Sequence, residues 1–379
     1  MQGLSRWSAG WFAVGVVASI GWAHAQEEAI KLGVSEPLSG PASSLGIPVV
    51  ESIKTAAEFI NANGGVNGRK IELLIRDDQS RADVAVQNFR RLAEEGVYGV
   101  IGPNQGSNAL AVAPVLLETK VPMCGFQNTI SITKLDNPYI FRCQTSDTDN
   151  TRAALKFASE KLGAKNVAVL YTGDAYGTEA YAALEAEAKE MNIPIVAAEK
   201  INYGASDTTA EWTKVLSAQP EAIILWGSGS TMSVALRNGS QLGNTAPIIG
   251  AQGVAAAAII KSAGAAAEGV YMVTLNAPDQ VTPEQQELSR IYKERHGEDY
   301  ALTIYDIIGW DAVHIYAEAI RQSGGDKAKV VEGMEKTQGL KLAGGSYTYT
   351  AESHEGLGSD SVWIVQVKDG ATVGVQRGF

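Results

Sequence analysis

The chain has 379 residues and a formal net charge of −11 at pH 7, so it is both long and acidic. It is too long for one compact core, and we expect two lobes. No basic cluster accompanies the acidity, which argues against binding to nucleic acid or to an anionic membrane surface. The histidines beyond the N-terminal segment are scattered and the two cysteines lack the spacing of zinc ligands, so we expect no metal site.

The first 25 residues have the pattern of an export signal. Arg6 supplies a short positive region, residues 9–22 are apolar or small without charge, and Ala-His-Ala at 23–25 is a small-x-small cleavage site. The apolar run falls short of the roughly 20 residues that a membrane span needs. We therefore expect cleavage before Gln26 and, since no cysteine lies near the cut, a mature protein free in the periplasm.

The remaining chain alternates strand and helix patterns. Apolar residues at period two or in short runs predict strands, and helical spacing predicts helices. The predicted strands lie at 30–34, 70–76, 97–101, 121–124, 167–171, 195–199, 222–226, 248–250, 269–273, 347–349 and 362–367. The predicted helices include 47–61, 81–95, 108–119, 177–191, 209–216 and 304–322. Repeated strand-helix-strand units imply an α/β fold, with parallel sheets covered by helices on both faces.

Cys124 and Cys143 leave two alternatives open. In an oxidising compartment they could form a disulfide that closes a loop of about 20 residues. They could equally be two buried thiols on neighbouring strands.

Ligands of such sheets bind beyond the carboxyl ends of the strands, where helix N-termini also favour anions. Four loops follow predicted strands and precede helices: 103–107, 125–129, 172–177 and 251–254. Their hydrogen-bonding side chains are Asn104, Gln105, Ser107, Gln127, Asn128, Thr129, Tyr176 and Gln252. Each residue alone could be an ordinary turn or cap, but as a set at strand ends they predict a ligand site.

Seven motifs resemble those of the periplasmic leucine/isoleucine/valine-binding protein family. They are LSGP at 38–41, NANGGVNG at 61–68, DD at 77–78, VIGP at 100–103, FR at 141–142, DAYG at 174–177 and GAQG at 250–253. The resemblance covers nearly the whole chain beyond the export signal. It implies a type I periplasmic-binding fold, in which two Rossmann-like lobes joined by a three-segment hinge close over a small ligand.

The resemblance also implies where the chain changes lobe and which partner it serves. The crossings are expected near Gln144, Asn276 and Tyr349. Lobe 1 would then consist of 26–145 and 277–349, and lobe 2 of 146–276 and 350–379. The expected partner is the permease of an ABC importer in the inner membrane, and the expected state is a monomer.

The family's site carries over in part. Its first-lobe loop offers a serine and backbone N–H groups to the ligand carboxylate. Here that loop reads Asn-Gln-Gly-Ser at 104–107, so the hydroxyl would come from Ser107. The family's threonine matches Thr129, with Gln127 adding a backbone contact, and its second-lobe tyrosine matches Tyr176.

The main departure is Gln252, since amino-acid binders have a glutamate there that pairs with the ligand ammonium. Burying an ammonium without a carboxylate is costly. Either Asp306 replaces the glutamate, or the ligand is an aromatic or aliphatic acid, or an amide, without an amine; the sequence slightly favours the latter. Asp306 could also be a solvent-facing charge at a helix N-terminus. Trp226 and Tyr305 could add a stacking surface or belong to the core.

Two other functions have little support in the sequence. There is no nucleophile elbow, His-Glu-x-x-His or Walker motif, and Gly-Ser-Gly at 227–229 lacks a third glycine. We therefore expect neither an enzyme nor a cofactor. A ligand-sensing module of the same fold is the alternative, but it would need a separate receptor or regulator.

Overall fold

The computed structural model describes residues 28–227 and 229–379. The expected export signal, with its cut before Gln26, lies outside these residues. Within them, no helix combines the length and apolar character needed to cross a membrane.

Strands and helices alternate along most of the chain. The strands are β1 (Ile30–Glu36), β2 (Ile71–Asp77), β3 (Val100–Ile101), β4 (Met123–Gly125), β5 (Ile140–Arg142), β6 (Val167–Thr172), β7 (Ile195–Ile201), β8 (Ala222–Trp226), β9 (Ile248–Gly250), β10 (Tyr271–Thr274), β11 (Leu340–Lys341), β12 (Ser346–Thr350), β13 (Ser353–Gly356), β14 (Trp363–Lys368) and β15 (Ala371–Arg377). The helices are α1 (Ser43–Ala62), α2 (Ala82–Glu94), α3 (Gly106–Thr119), α4 (Asp147–Lys156), α5 (Ala175–Glu190), α6 (Thr209–Ser217), α7 (Ser230–Gln241), α8 (Ala257–Ala263), α9 (Gln286–His296), α10 (Ile304–Gln322) and α11 (Val330–Glu335). Each predicted strand and helix overlaps an observed one.

The first α/β unit is built on a parallel sheet with the strand order β2-β1-β3-β4-β5. Leu32 and Val34 of β1 share a buried core with apolar residues of α1 and α10. These two helices pack closely at Gly309 of α10. A side-chain carbon added there would lie only 2.6 Å from the Val49 carbonyl oxygen of α1. Helices α2 and α3 cover the other face through Phe89, Leu92 and neighbouring residues.

The second unit is built on a mixed sheet with the order β15-β14-β10-β9-β8-β6-β7. Strands β6 to β10 are parallel, whereas β14 is antiparallel to both β10 and β15. Asp369 and Gly370, which join β14 to β15, both have positive φ, at 52° and 75°. Such a two-residue Asp-Gly loop forces a tight hairpin, so this edge of the sheet departs from the expected parallel arrangement.

A small antiparallel sheet of β11, β12 and β13 packs with the first unit. Tyr347, Tyr349 and Leu357 belong to the same core as β1 and α10. After β10 the chain returns to the second sheet only at β14, and Leu357, shortly before that strand, still packs with the first unit.

The two cysteines form a disulfide, which resolves the two alternatives left by the sequence. Cys124 of β4 is bonded to Cys143, the residue after β5, with 5.6 Å between their Cα atoms. Both residues are fully buried. The bond ties together the two strands whose following loops carry several of the candidate site residues.

Candidate functional site

The N-terminus of α3 faces the loop that follows β4. A side-chain carbon added at Gly106 would lie 2.5 Å from the Thr129 hydroxyl oxygen, so only glycine allows this approach. Gln105 precedes the helix without capping it through its side chain, and Ser107 is exposed in the first turn. Free N–H groups at the start of a long helix favour anions. Together with the Thr129 hydroxyl, they form a surface suited to a carboxylate.

Arg142 fixes the loop that carries Thr129. Its buried guanidinium donates hydrogen bonds to the carbonyl oxygens of Gln127 and Thr129, the latter at 2.8 Å, and to the Thr133 hydroxyl at 3.0 Å. It also forms a 2.7 Å ion pair with Glu355, which lies in β13. Charge-assisted bonds from a rigid guanidinium are strong and directional, so this single side chain sets the backbone conformation of 127–133.

Asp147, the first residue of α4, lies where the two α/β units meet. Its backbone N–H donates to the Asn128 carbonyl oxygen at 3.0 Å, and its side chain is fully buried. Neither carboxyl oxygen makes a hydrogen bond of good geometry within 28–227 or 229–379. Burial raises the pKa of Asp147 to about 7, although the positive charge of Arg142 and the nearby Trp226 N–H oppose that rise. Among the described residues, Asp147 is thus a buried acid without an ion pair of its own.

Tyr176 is placed beside Asp147 by the tight turn after β6. Asp174 caps α5 by accepting hydrogen bonds from the Gly177 N–H at 3.1 Å and from the Thr172 hydroxyl at 2.7 Å. A side-chain carbon at Gly177 would lie 2.1 Å from the Thr172 carbonyl oxygen, so glycine is required there. Burial, followed by the charge of Asp147, raises the pKa of the Tyr176 hydroxyl well above its usual range, so it remains a neutral hydrogen-bonding group.

Trp226, at the end of β8, completes this corner of the second unit. Its ring is 1% exposed and belongs to the core, so it does not offer the stacking face considered from the sequence. Its indole N–H instead lies near both the Asp147 carboxyl and the Tyr176 hydroxyl. The contribution of Trp226 to the candidate site is therefore a hydrogen-bond donor.

Gln252 connects the two units through hydrogen bonds. Its side-chain oxygen accepts from the Asn128 amide at 3.3 Å, and its amide donates to the Thr145 hydroxyl at 3.3 Å. A second connection joins Ser131 to Glu179 of α5 at 3.1 Å. The amide of Gln252 is thus occupied by neighbouring side chains.

Asp306 has a structural task at the start of α10. Its Oδ2 accepts hydrogen bonds from the Thr303 N–H at 2.7 Å, the Thr303 hydroxyl at 2.8 Å and the Tyr300 hydroxyl at 3.0 Å. Together with Thr303 it forms a capping box, so it is not the solvent-facing charge that the sequence also allowed. The next residue toward the N-terminus, Tyr305, lies close enough to Tyr176 to influence its pKa, and burial raises its own pKa to about 12.

The loop after β3 carries two buried polar atoms that are not satisfied. The side-chain nitrogen of Asn104 and the side-chain oxygen of Gln105 have no hydrogen-bond partner in the part of the chain that the structure describes. Gln127 is buried nearby, and its amide donates to the Pro103 carbonyl oxygen, which joins this loop to the loop after β4.

Several of the residues predicted from the sequence thus lie together at the carboxyl ends of the two sheets, around Thr129, Tyr176 and Gln252. Asp147 and Arg142 were not among the predicted site residues. A strand-end signal was available for Asp147, because the segment after β5 also precedes a helix. The burial of its carboxyl group could not be read from the sequence.

Two α/β units with facing polar strand ends define a ligand-binding protein of two lobes. The chain belongs to the periplasmic binding protein family, whose sequence model matches residues 29–372. The predicted resemblance to leucine/isoleucine/valine-binding proteins is confirmed, as is the prediction of a binding protein and not an enzyme.

Individual relatives match over most of their length. A Leu/Ile/Val-binding protein homolog from Brucella melitensis is 26% identical over 370 residues, covering 96% of this chain and 98% of that protein. A leucine-, isoleucine-, valine-, threonine- and alanine-binding protein from Pseudomonas aeruginosa is 27% identical over 325 residues, covering 85% and 86%. The crystal structure of the leucine-binding protein LivK from Thermotoga maritima matches with a TM-score of 0.80 at 25% identity, covering 92% of this chain and 98% of that one. The predicted type I periplasmic-binding fold is thereby confirmed.

Proposed function

We propose that this chain is the solute-binding component of an ABC importer, which works in the periplasm after cleavage before Gln26 and hands its ligand to an inner-membrane permease. The family match and the similarity to amino-acid-binding relatives support this role. We further propose that the protein acts as a monomer. The ligand is a small carboxylate-bearing molecule bound between the two lobes.

Within that class we propose an amino acid, and the observation that carries this choice is Asp147. A buried carboxylate without a partner is costly, and an ammonium ion is the group that offsets the cost. Gln252 is neutral and already hydrogen-bonded to Asn128 and Thr145. Asp306 is engaged in the cap of α10. Asp147 is an acid whose carboxyl oxygens make no hydrogen bond of good geometry in the described residues, so we assign the ammonium partner to it instead of Asp306.

The rest of the proposed site follows from the same corner of the structure. The ligand carboxylate would bind the Thr129 hydroxyl and the first N–H groups of α3, since a helix N-terminus favours an anion. Asn128 precedes Thr129, and its carbonyl oxygen accepts a hydrogen bond from the backbone N–H of Asp147 at 3.0 Å. This bond holds the segment with the proposed carboxylate site next to the segment with the proposed ammonium site, as an α-amino acid requires. Tyr176, Trp226 and Tyr305 would surround the ligand from the second lobe and from α10.

We propose that the lobes close over the ligand about a three-segment hinge. The proposed lobes follow the sequence prediction with two shifts: residues 277–280 pack with the second unit, and Leu357 packs with the first, so we place the third crossing between Leu357 and Val362. A ligand that touches both lobes binds the closed form better, and that difference in affinity drives closure.

A thermal-shift screen followed by small-angle scattering tests this function. The ligand-stripped protein is heated with L-amino acids, with the same acids lacking the amine, and with small amides. A ligand at about one hundred times its dissociation constant should stabilise the fold by about 2.7 kcal/mol. We expect stabilisation by amino acids and a smaller radius of gyration in their presence. No response to any amino acid would refute the assignment, and binding without compaction would refute hinge closure.

A further inference from the structure

A cluster of polar groups lies at the ends of β1 and β3. These two strands are adjacent and parallel, with Val34 opposite Ile101. Glu36 ends β1 and is fully buried, and Asn104 and Gln105 follow β3. Both carboxyl oxygens of Glu36, the side-chain nitrogen of Asn104 and the side-chain oxygen of Gln105 are buried without a hydrogen bond to any of residues 28–227 or 229–379.

The cluster lies next to the proposed carboxylate site. A side-chain carbon at Gly102 would be 2.5 Å from the Oε1 atom of Glu36, so this carboxyl group reaches across to the end of β3. Gln105 directly precedes α3, whose first residue, Gly106, contacts the Thr129 hydroxyl. A ligand whose carboxylate binds at Thr129 would therefore have this cluster as its neighbour along the loop after β3.

The three side chains offer complementary hydrogen-bonding groups. Burial, followed by the charge of Asp78, raises the pKa of Glu36 well above its usual range, which favours the protonated carboxyl with one donor as well as acceptors. The nitrogen of Asn104 is a donor and the oxygen of Gln105 is an acceptor. Leaving such buried groups without partners is unfavourable, so a ligand that pairs with them would bind better than one that cannot.

We propose that Glu36, Asn104 and Gln105 receive the side chain of the ligand, and that the protein prefers amino acids with a side-chain hydroxyl or amide over their aliphatic isosteres. This inference rests on the proposed amino-acid function. A pocket built to hydrogen-bond a substrate rejects an analogue that lacks the polar group, because its own groups are then left unpaired.

Calorimetric titration with isosteric pairs tests the preference. The ligand-stripped protein is titrated with L-threonine and L-valine, and with L-asparagine and L-leucine. In at least one pair, the polar member is expected to bind at least about ten-fold more tightly than the aliphatic member. Equal affinities, or tighter binding of the aliphatic member in both pairs, would overturn the inference and leave the amino-acid function standing. Failure of all amino acids to bind, including those of the wider screen, would overturn the function itself.

Two variants locate the preference in the cluster. Asn104→Leu should reduce the polar-to-aliphatic affinity ratio at least about ten-fold, because the buried donor is lost. Asn63→Leu is the matched control, since it makes the same substitution at the exposed C-terminal end of α1, and it should keep the wild-type ratio. Thermal melting of each variant confirms folding. An unchanged ratio in folded Asn104→Leu would remove the cluster from the site.

Discussion

Asp147→Asn is expected to weaken amino-acid binding by at least about 100-fold, which corresponds to roughly 2.7 kcal/mol. The substitution keeps the size of the side chain and removes the charge that pairs with the ligand ammonium. The same variant should melt at a higher temperature than the wild type when both are empty at about pH 8, because a buried charge is then absent. Calorimetric titration and thermal melting measure the two effects.

The matched control is Asp149→Asn, in the same first turn of α4. Asp149 is only partly buried and accepts a hydrogen bond from the Ser146 hydroxyl at 2.6 Å. This variant loses the same charge from the same helix end, and we expect its ligand affinity to stay within a few-fold of the wild type. Equal weakening in both variants would point to a helix-dipole effect and contradict the role of Asp147.

The pH dependence of Asp147 has opposite signs for stability and for binding. Its pKa of about 7 in the folded, empty protein lies above the unperturbed 3.8, so folding favours the protonated form. The destabilisation from this group is complete above about pH 7 and is relieved as the pH falls toward 4. Ligand ammonium needs the charged form, so affinity should fall by up to about ten-fold per pH unit below 7. In Asp147→Asn this group should contribute neither to the pH dependence of stability nor to the pH dependence of ligand affinity.

Arg142→Met is expected to lower the free energy of unfolding by about 2–4 kcal/mol and to remove ligand binding as well. The variant leaves the carbonyl oxygens of Gln127 and Thr129 without their guanidinium donor, and Glu355 without its ion pair. Methionine fills part of the volume, so most of the loss comes from unpaired polar groups. Urea unfolding and calorimetric titration measure stability and binding separately.

Arg152→Met provides a control for the loss of an arginine ion pair as such. Arg152 forms a bidentate pair with Glu187 of α5, at 2.7 and 2.9 Å, and its side chain is 34% exposed. The Glu187 side chain is only 8% exposed, so removal of its partner should also lower the free energy of unfolding, but it should leave ligand affinity unchanged. If Arg142→Met behaves in the same way, Arg142 does not fix the loop of 127–133.

The sequence predicted the alternation of strands and helices because apolar periodicity is a local signal. Helix α10 is predicted within its observed bounds for that reason. The hairpin between β14 and β15 also has a local signal, the Asp369-Gly370 pair, which favours a two-residue turn. The capping box from Thr303 to Asp306 is another local signal, which would have identified Asp306 as a helix cap.

The parts of the candidate site that escaped prediction depend on contacts distant in sequence. Gln252 is recognisable as a departure from the family's glutamate, but its hydrogen bonds to Asn128 and Thr145 join segments more than one hundred residues apart. The free carboxyl groups of Asp147 and Glu36 follow from burial by several elements at once. Neither periodicity nor spacing in the sequence predicts such burial, so the candidate roles of these two residues can be recognised only in the folded structure.

The proposed site binds an α-amino acid through its ammonium group, and one titration is sufficient to check this assignment. Ligand-stripped wild-type protein is titrated at about pH 8 with the amino acid that gives the largest thermal shift, and then with the same acid without its amino group. We expect the amino acid to bind at least about 100-fold more tightly, since only it can pair with Asp147. Equal affinity for the two acids would show that the ammonium has no partner in the site, and would contradict its pairing with Asp147.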